Sequence, residues 1–141
     1  MKKIILFVSV VLLGCFAVSC NFSKSGKLET KIKINKNKNM NITEITNENV
    51  NDFIANNESV LIDFHATWCG PCRAMSPIID KFAEEHPEIA VGKCDVEDNE
   101  EAAGMFGVRN LPFIVFIKNG ELIDSKVGLQ NEKALNEMVC Q

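Results

Sequence analysis

The chain has no tyrosine, one tryptophan and only two histidines in 141 residues. Its six cysteines include one pair spaced two apart, Cys69 and Cys72, and no second Cys-x-x-Cys. A closed zinc site needs four ligands, normally from a second such pair or two close histidines. The remaining candidates, Cys94, Cys140, His65 and His86, are scattered singly, so the sequence argues against a metal centre. Positive charge is scarce where a domain can fold: residues 41–141 hold seven Lys and Arg against eighteen Asp and Glu, a balance of −11. A nucleic-acid binder needs a basic face on the domain itself, so that class is excluded. The one long apolar run lies at the N-terminus and is short for a spanning helix.

The charge is segregated along the chain. Lys2 and Lys3 precede an apolar stretch, Ile4 to Val18, that has the layout of a secretory signal. The stretch closes on "FAVSC" and turns polar at "NFSKSGK". Small residues before a cysteine resemble the lipobox of bacterial lipoproteins, with Ala17 where Leu or Val is usual. That resemblance implies cleavage after residue 19, lipidation of the Cys20 thiol and insertion of its acyl chains in a lipid bilayer. Cys15, in "LLGC", is a second candidate. Cleavage to a secreted soluble protein and retention as an uncleaved anchor are the alternatives; all place the domain outside the cytoplasm. Residues 21–40 carry six lysines and one acid. They read as a polar tether that buries too little apolar surface to fold alone. The expected division is residues 1–19 as signal peptide, 20–40 as lipidated cysteine and basic tether, and 41–141 as one domain.

Within 41–141 the pattern alternates between strand and helix. Residues 40–46 alternate loosely and give a strand; 47–56 places Val50, Phe53 and Ile54 at helical spacing, with Asn47 or Asn49 as cap. "VLIDFHA" (60–66) is a β-branched and aromatic run expected to be buried on both faces. Residues 72–87 form an amphipathic helix that Pro77 should kink and Pro87 should end. A strand (89–96) and a short helix (99–108) follow. Asn119-Gly120 joins two apolar runs as a type I′ hairpin turn, and 131–139 closes the chain as a helix. The order β-α-β-α-β-α-β-β-α predicts an α/β fold with a central mixed sheet and helices on both faces. Strands separated by helices are expected to run parallel, and the last pair antiparallel. Ligands in such sheets sit at the carboxyl ends of strands, where Cys69 and Cys72 fall.

A cysteine just before a helix faces backbone N–H groups and the positive end of the helix dipole, and both favour thiolate. Cys69 is therefore the expected nucleophile. Cys72, one turn into the helix, is expected to be more protected and to resolve the mixed disulfide. Pro71 suits a first helical turn, and Gly70 allows tight geometry between the sulfurs. Asp63 lies mid-strand in a buried run, where desolvation should raise its pKa and make it a proton acceptor for Cys72. By period two it shares a face with Leu61 and His65. Lys93, in the neighbouring strand, is either its partner or a solvated lysine.

These residues carry a family resemblance. "VLIDFHATWCGPCRAMSPIIDKFA", "VGKCDV", "GVRNLPFIVFIKNGE" and the "VG" at 127–128 resemble thioredoxin over residues 41–141. The resemblance implies the thioredoxin fold and thiol–disulfide chemistry without a bound cofactor. It assigns Cys69 as attacking thiol, Cys72 as resolving thiol, and Asp63 with Lys93 to the proton. It further implies that Trp68 covers the dithiol, that Pro112 is cis and faces the disulfide, and that the backbone of Leu111 binds the substrate's extended segment. Three positions depart from the family pattern: His65 for tryptophan, Phe113 for threonine, and Asn110-Leu111 for Gly-Ile. All three are expected near the site, where they would bear on substrate preference and potential. His65 points to a potential that is pH-sensitive between about pH 5 and 8, with a satisfied core or rim histidine as the alternative. Cys94 reads as a small core residue and Cys140 as a terminal thiol, with a bridge between them possible.

The resulting expectation is a protein-disulfide reductase outside the cytoplasm. It would act on disulfide-bonded client proteins, be recharged by a membrane-embedded thiol reductant, and be held at the membrane of the periplasm through Cys20. Rivals are a reductase dedicated to one client such as apocytochrome c, a disulfide oxidant or isomerase, and a non-enzymatic binding scaffold on the same fold.

Overall fold

A computed structural model describes residues 42–141; the leader, Cys20, the tether and the first two residues of the 40–46 strand lie outside the described residues. The elements are β1 (Ile42–Glu44), α1 (Val50–Ala55), β2 (Ser59–His65), α2 (Gly70–Glu85), β3 (Ala90–Asp95), α3 (Glu100–Met105), β4 (Phe113–Lys118), β5 (Glu121–Val127) and α4 (Glu132–Val139). The sheet order is β1-β3-β2-β4-β5. β2 lies at its centre because Val60 to Phe64 can be buried on both faces.

Alternation along the central strands builds two cores. Val60, Ile62 and Phe64 of β2 join Val115 and Ile117 of β4, Val50 of α1 and Ala102 of α3. Leu61 joins Ile114, Phe116, Met75, Ile79 and Phe82 of α2, and Leu135 and Met138 of α4. Helices α1 and α3 therefore cover one face of the sheet, α2 and α4 the other.

β1, β3 and β2 run parallel, but β4 lies antiparallel to β2, with Phe64 opposite Phe113 and Ser59 opposite Lys118. The expectation that every helix-separated pair runs parallel fails here because Leu111, just before β4, packs against Ala66 and Cys69 beyond the carboxyl end of β2, so β4 starts at that end and runs back along β2. The loop after α3 stays at the carboxyl end of β2, and β4 starts from there. This places Leu111 and Pro112 beside the segment that follows β2. β5 then returns through Asn119 and Gly120, with φ of 53° and 78°, as the type I′ signal requires.

Asn47 does not cap its own helix. Its Oδ1 accepts from the Ala102 N–H at 2.9 Å, and its own N–H donates to Asn99 Oδ1 at 3.1 Å. The segment before α1 thus supplies the oxygen for an orphan donor in the first turn of α3. Asn49 occupies the N-cap position of α1, but its Oδ1 accepts from the Thr46 N–H. Pro77 lies inside a continuous α2, which ends at Glu85, just before His86 and Pro87.

Gly92 in β3 leaves the space that Ile45 and the α1 residue Phe53 fill. A Cβ there would lie 2.5 Å from Ile45 Cγ1 and 3.2 Å from Phe53 Cε1. Ile45 is wholly buried and has little room to yield. Gly92→Ala should lower stability by about 1–3 kcal/mol, read as a reduced urea midpoint at unchanged slope.

Candidate active site

β2 ends at His65, and residues 66–69 carry the chain to the N-terminus of α2. The Cys69 N–H donates to the Ala66 carbonyl at 3.1 Å, which closes this connection. Cys69 is the N-cap of α2, and its Sγ accepts from the Cys72 N–H at 3.2 Å. The sulfur occupies the place that a serine or aspartate oxygen takes in an ordinary cap. Pro71 in the first turn forfeits no intrahelical bond. Cys69 and Cys72 are joined as a disulfide, so the sulfur on that amide is the oxidised counterpart of the thiolate. In the dithiol the same N–H and the dipole of a sixteen-residue helix act on a full negative charge.

Two expectations about this turn need correction. Cys72 is no better shielded than Cys69: each is 4 % exposed. They differ instead in which space they face. Cys69 lines a groove of about 710 Å³ with Trp68, Gly70, Glu100, Arg109 and Leu111. Cys72 lines a smaller cavity of about 220 Å³ with Asp63, His65, Arg73 and Lys93. Gly70 is not required for sulfur geometry either, since a Cβ added there meets nothing within 4 Å. The space it leaves open belongs to the groove.

Asp63 is 1 % exposed, and its Oδ1 has no hydrogen-bond partner among the described residues. Burial pushes its carboxyl up to about 6; the Lys93 charge opposes this and Asp80 adds to it. Asp63 and Lys93 are register partners on β2 and β3, yet they do not pair directly. Lys93 Nζ instead donates to Asp80 Oδ1 at 2.7 Å and to Ser76 Oγ at 2.8 Å. Ser76 and Asp80 sit one turn apart on α2, an i, i+4 spacing that presents both to one strand. This spacing was a readable signal that the β2 pattern alone did not supply. It leaves Asp63 facing Cys72's cavity with an unneutralised oxygen.

The Leu111–Pro112 peptide is cis. Leu111 packs against Ala66, Cys69 and Cys72, and Pro112 is buried with its carbonyl accepting from the Gly128 N–H. Trp68 is 67 % exposed and lines the groove beside Cys69. Phe113 points away from the site: its ring lies 6.2 Å from that of Phe64, within the α1/α3 core. Its departure from threonine therefore serves packing, while Asn110 and Leu111 do line the groove. Glu100 and Arg109, which sequence reading did not single out, complete it.

Cys94 and Cys140 are both free thiols. Cys94 is fully buried, and burial together with the Asp95 charge pushes its thiol up to about 11. It is held as a neutral core residue. Cys140 is exposed at the end of α4.

A mixed sheet with a dithiol at a helix N-cap, a buried carboxylate behind it and a cis-proline beside it defines a disulfide oxidoreductase. Comparison with known proteins agrees. The family model described as Thioredoxin matches residues 41–141. The thioredoxin of Rickettsia typhi is 37 % identical over 100 residues, covering 70 % of this chain and 93 % of that protein. A protein described as putative thioredoxin 2 of Streptomyces coelicolor is 37 % identical over 98 residues, covering 70 % and 73 %. Among solved structures, a mutant thioredoxin from Halobacterium salinarum NRC-1 superposes with a TM-score of 0.66 at 36 % identity, over 70 % of this chain and 87 % of that one. The chain belongs to the thioredoxin family.

The buried Asp63 has a measurable consequence for stability. Its pKa rises from 3.8 to about 6 on folding. Below about pH 4 the carboxyl is neutral in both states and costs nothing. Between about pH 4 and 6 the unfolded chain ionises while the folded carboxyl stays protonated, so stability falls; above about 6 the loss is complete and the folded protein holds a buried charge. The difference of about two pH units corresponds to about 3 kcal/mol. Oxidised Asp63→Asn should therefore be more stable than wild type by up to about 3 kcal/mol at pH 8, and the gain should vanish near pH 4 in urea denaturation.

Proposed function

We propose that this oxidoreductase reduces disulfides of client proteins outside the cytoplasm, tethered to a membrane through a lipidated Cys20. The observation that carries the reductive reading is the WCGPC turn: Cys69 at the N-cap of α2, facing an open groove, with Cys72 facing the cavity of Asp63. The leader ending at Cys20 and the basic tether support the location.

The cycle starts from the dithiol. The Cys69 thiolate attacks one sulfur of a client disulfide lying in the groove; the client's other sulfur leaves as a thiolate and takes a proton from solvent. Leu111, packed against the dithiol beside the cis peptide, is placed to offer its backbone to an extended client segment. Cys72 then loses its proton to the Asp63 carboxylate and attacks Cys69 Sγ. The client departs with its second sulfur reduced, and the Cys69–Cys72 disulfide remains. Two electrons have passed to the client. They are restored by another dithiol, which in this location is a membrane-embedded reductant.

Wild type should reduce insulin disulfides with dithiothreitol as donor, and Cys69→Ser should fall to the uncatalysed background. Equilibration with glutathione should give a potential near about −270 mV, the value of thioredoxin itself, whereas about −120 mV would mark an oxidant. Expressed with residues 1–40 in place in a bacterium that processes lipoproteins, the protein should fractionate with membranes, and Cys20→Ser should move it to the soluble fraction.

A further inference from the structure

The proton that Asp63 takes from Cys72 has no direct way out, because the carboxylate is 1 % exposed. The cavity behind the disulfide offers a route. Its lining includes His65, two residues from Asp63 along β2 and on the same face of the strand. The separation is about 7 Å between Cα atoms, a span that one water can bridge between carboxylate and imidazole. His65 is half-buried, so it reaches from the cavity to solvent. Its imidazole has no hydrogen-bond partner among the described residues, and neither does Asp63 Oδ1. The unsatisfied Asp63 Oδ1 and the His65 imidazole therefore line one cavity of about 220 Å³, which has room for several waters.

We propose that His65 is the proton exit of this site, passing the resolving-step proton between Asp63 and solvent. This rests on the reductase reading above. The proton leaves Cys72 Sγ as that sulfur bonds to Cys69 Sγ, resides on Asp63, crosses to the neutral imidazole, and is released to water from the outer ring nitrogen. No electrons move in the relay, and His65 returns to its starting state after each release. It is a positioning residue for the proton and touches neither sulfur of the client.

The surrounding charges suit a histidine that is neutral before it receives a proton. Burial and Lys93 on β3 hold its pKa below the usual value, against Asp95 on β3 and Glu44 on β1. Arg73 of α2 lines the same cavity and adds a positive charge. On the β4 side Asp63 meets only Ile114, which carries no charge. A proton arriving on His65 is therefore not trapped there.

The test separates the two chemical steps. Attack by Cys69 on insulin is timed in a Cys72→Ser background, where the reaction stops at the mixed disulfide. Resolution is timed in single turnovers of the intact dithiol, followed by the fluorescence of Trp68, the chain's only tryptophan. His65→Gln should slow resolution at least about fivefold at pH 7 and leave attack within twofold, because only the proton-transfer step is touched. The inflection in the pH profile of resolution should move in His65→Gln. Added imidazole should restore the rate in His65→Gly, a rescue that a packing defect would not show. Resolution within twofold of wild type in both variants, equal slowing of both steps, or no rescue by imidazole would each overturn the relay while leaving the reductase intact. Failure of wild type to form the mixed disulfide with insulin would overturn the reductase reading and the relay together.

Discussion

The hydrogen bond from the Cys72 amide to the Cys69 sulfur is the contact on which the chemistry depends. It makes a sulfur the cap of a sixteen-residue helix, so the stabilisation that an ordinary N-cap gives a helix is redirected to a nucleophile. The rest of the fold holds that helix end in place. β2 delivers the chain to it, the Ala66 carbonyl fixes the approach, and the α2 stripe of Met75, Ile79 and Phe82 anchors it to the sheet. Movement of the helix end would lengthen one hydrogen bond and return the thiol to ordinary acidity.

The disulfide lies between two spaces of different character. On one side is the larger groove with Trp68, Glu100, Arg109 and Leu111; on the other is the smaller cavity with Asp63, His65 and Lys93. In the proposed cycle, attack and resolution draw on separate environments. The groove can accept a large, variable client because it is walled by exposed side chains and backbone. Asp63 keeps a raised carboxyl pKa because the carboxylate itself is buried. The Lys93–Asp80 pair limits that effect: a lysine hydrogen-bonded to Asp80 and Ser76 acts on Asp63 by its charge and not through a direct ion pair.

Much of this was legible in the residues. Buried β-branched runs gave the central strands, Asn119-Gly120 gave the hairpin, and a carboxylate inside "VLIDFHA" stood out against its surroundings. Less legible were features fixed by distance in three dimensions. The direction of β4 follows from where the loop after α3 docks, with Leu111 beside Ala66 and Cys69, which a strand–helix–strand pattern does not convey. Asn47 caps a helix some fifty residues away, although its local context fits the helix that follows it. Lys93 pairs with Asp80 and Ser76 because α2 presents both to its side chain, a placement no strand pattern encodes. Phe113, beside the cis-proline in sequence, turned out to face the opposite core because side chains alternate along β4.

The central claim concerns the acidity of one sulfur. The most direct measurement is the rate of iodoacetamide alkylation of the reduced protein as a function of pH, with the modified residue identified by mass. The midpoint for Cys69 should lie at least about one unit below the 8.5 of an unperturbed thiol. A midpoint at or above 8.5 would contradict it: the Cys72 amide and the helix behind it would then contribute nothing to the nucleophile.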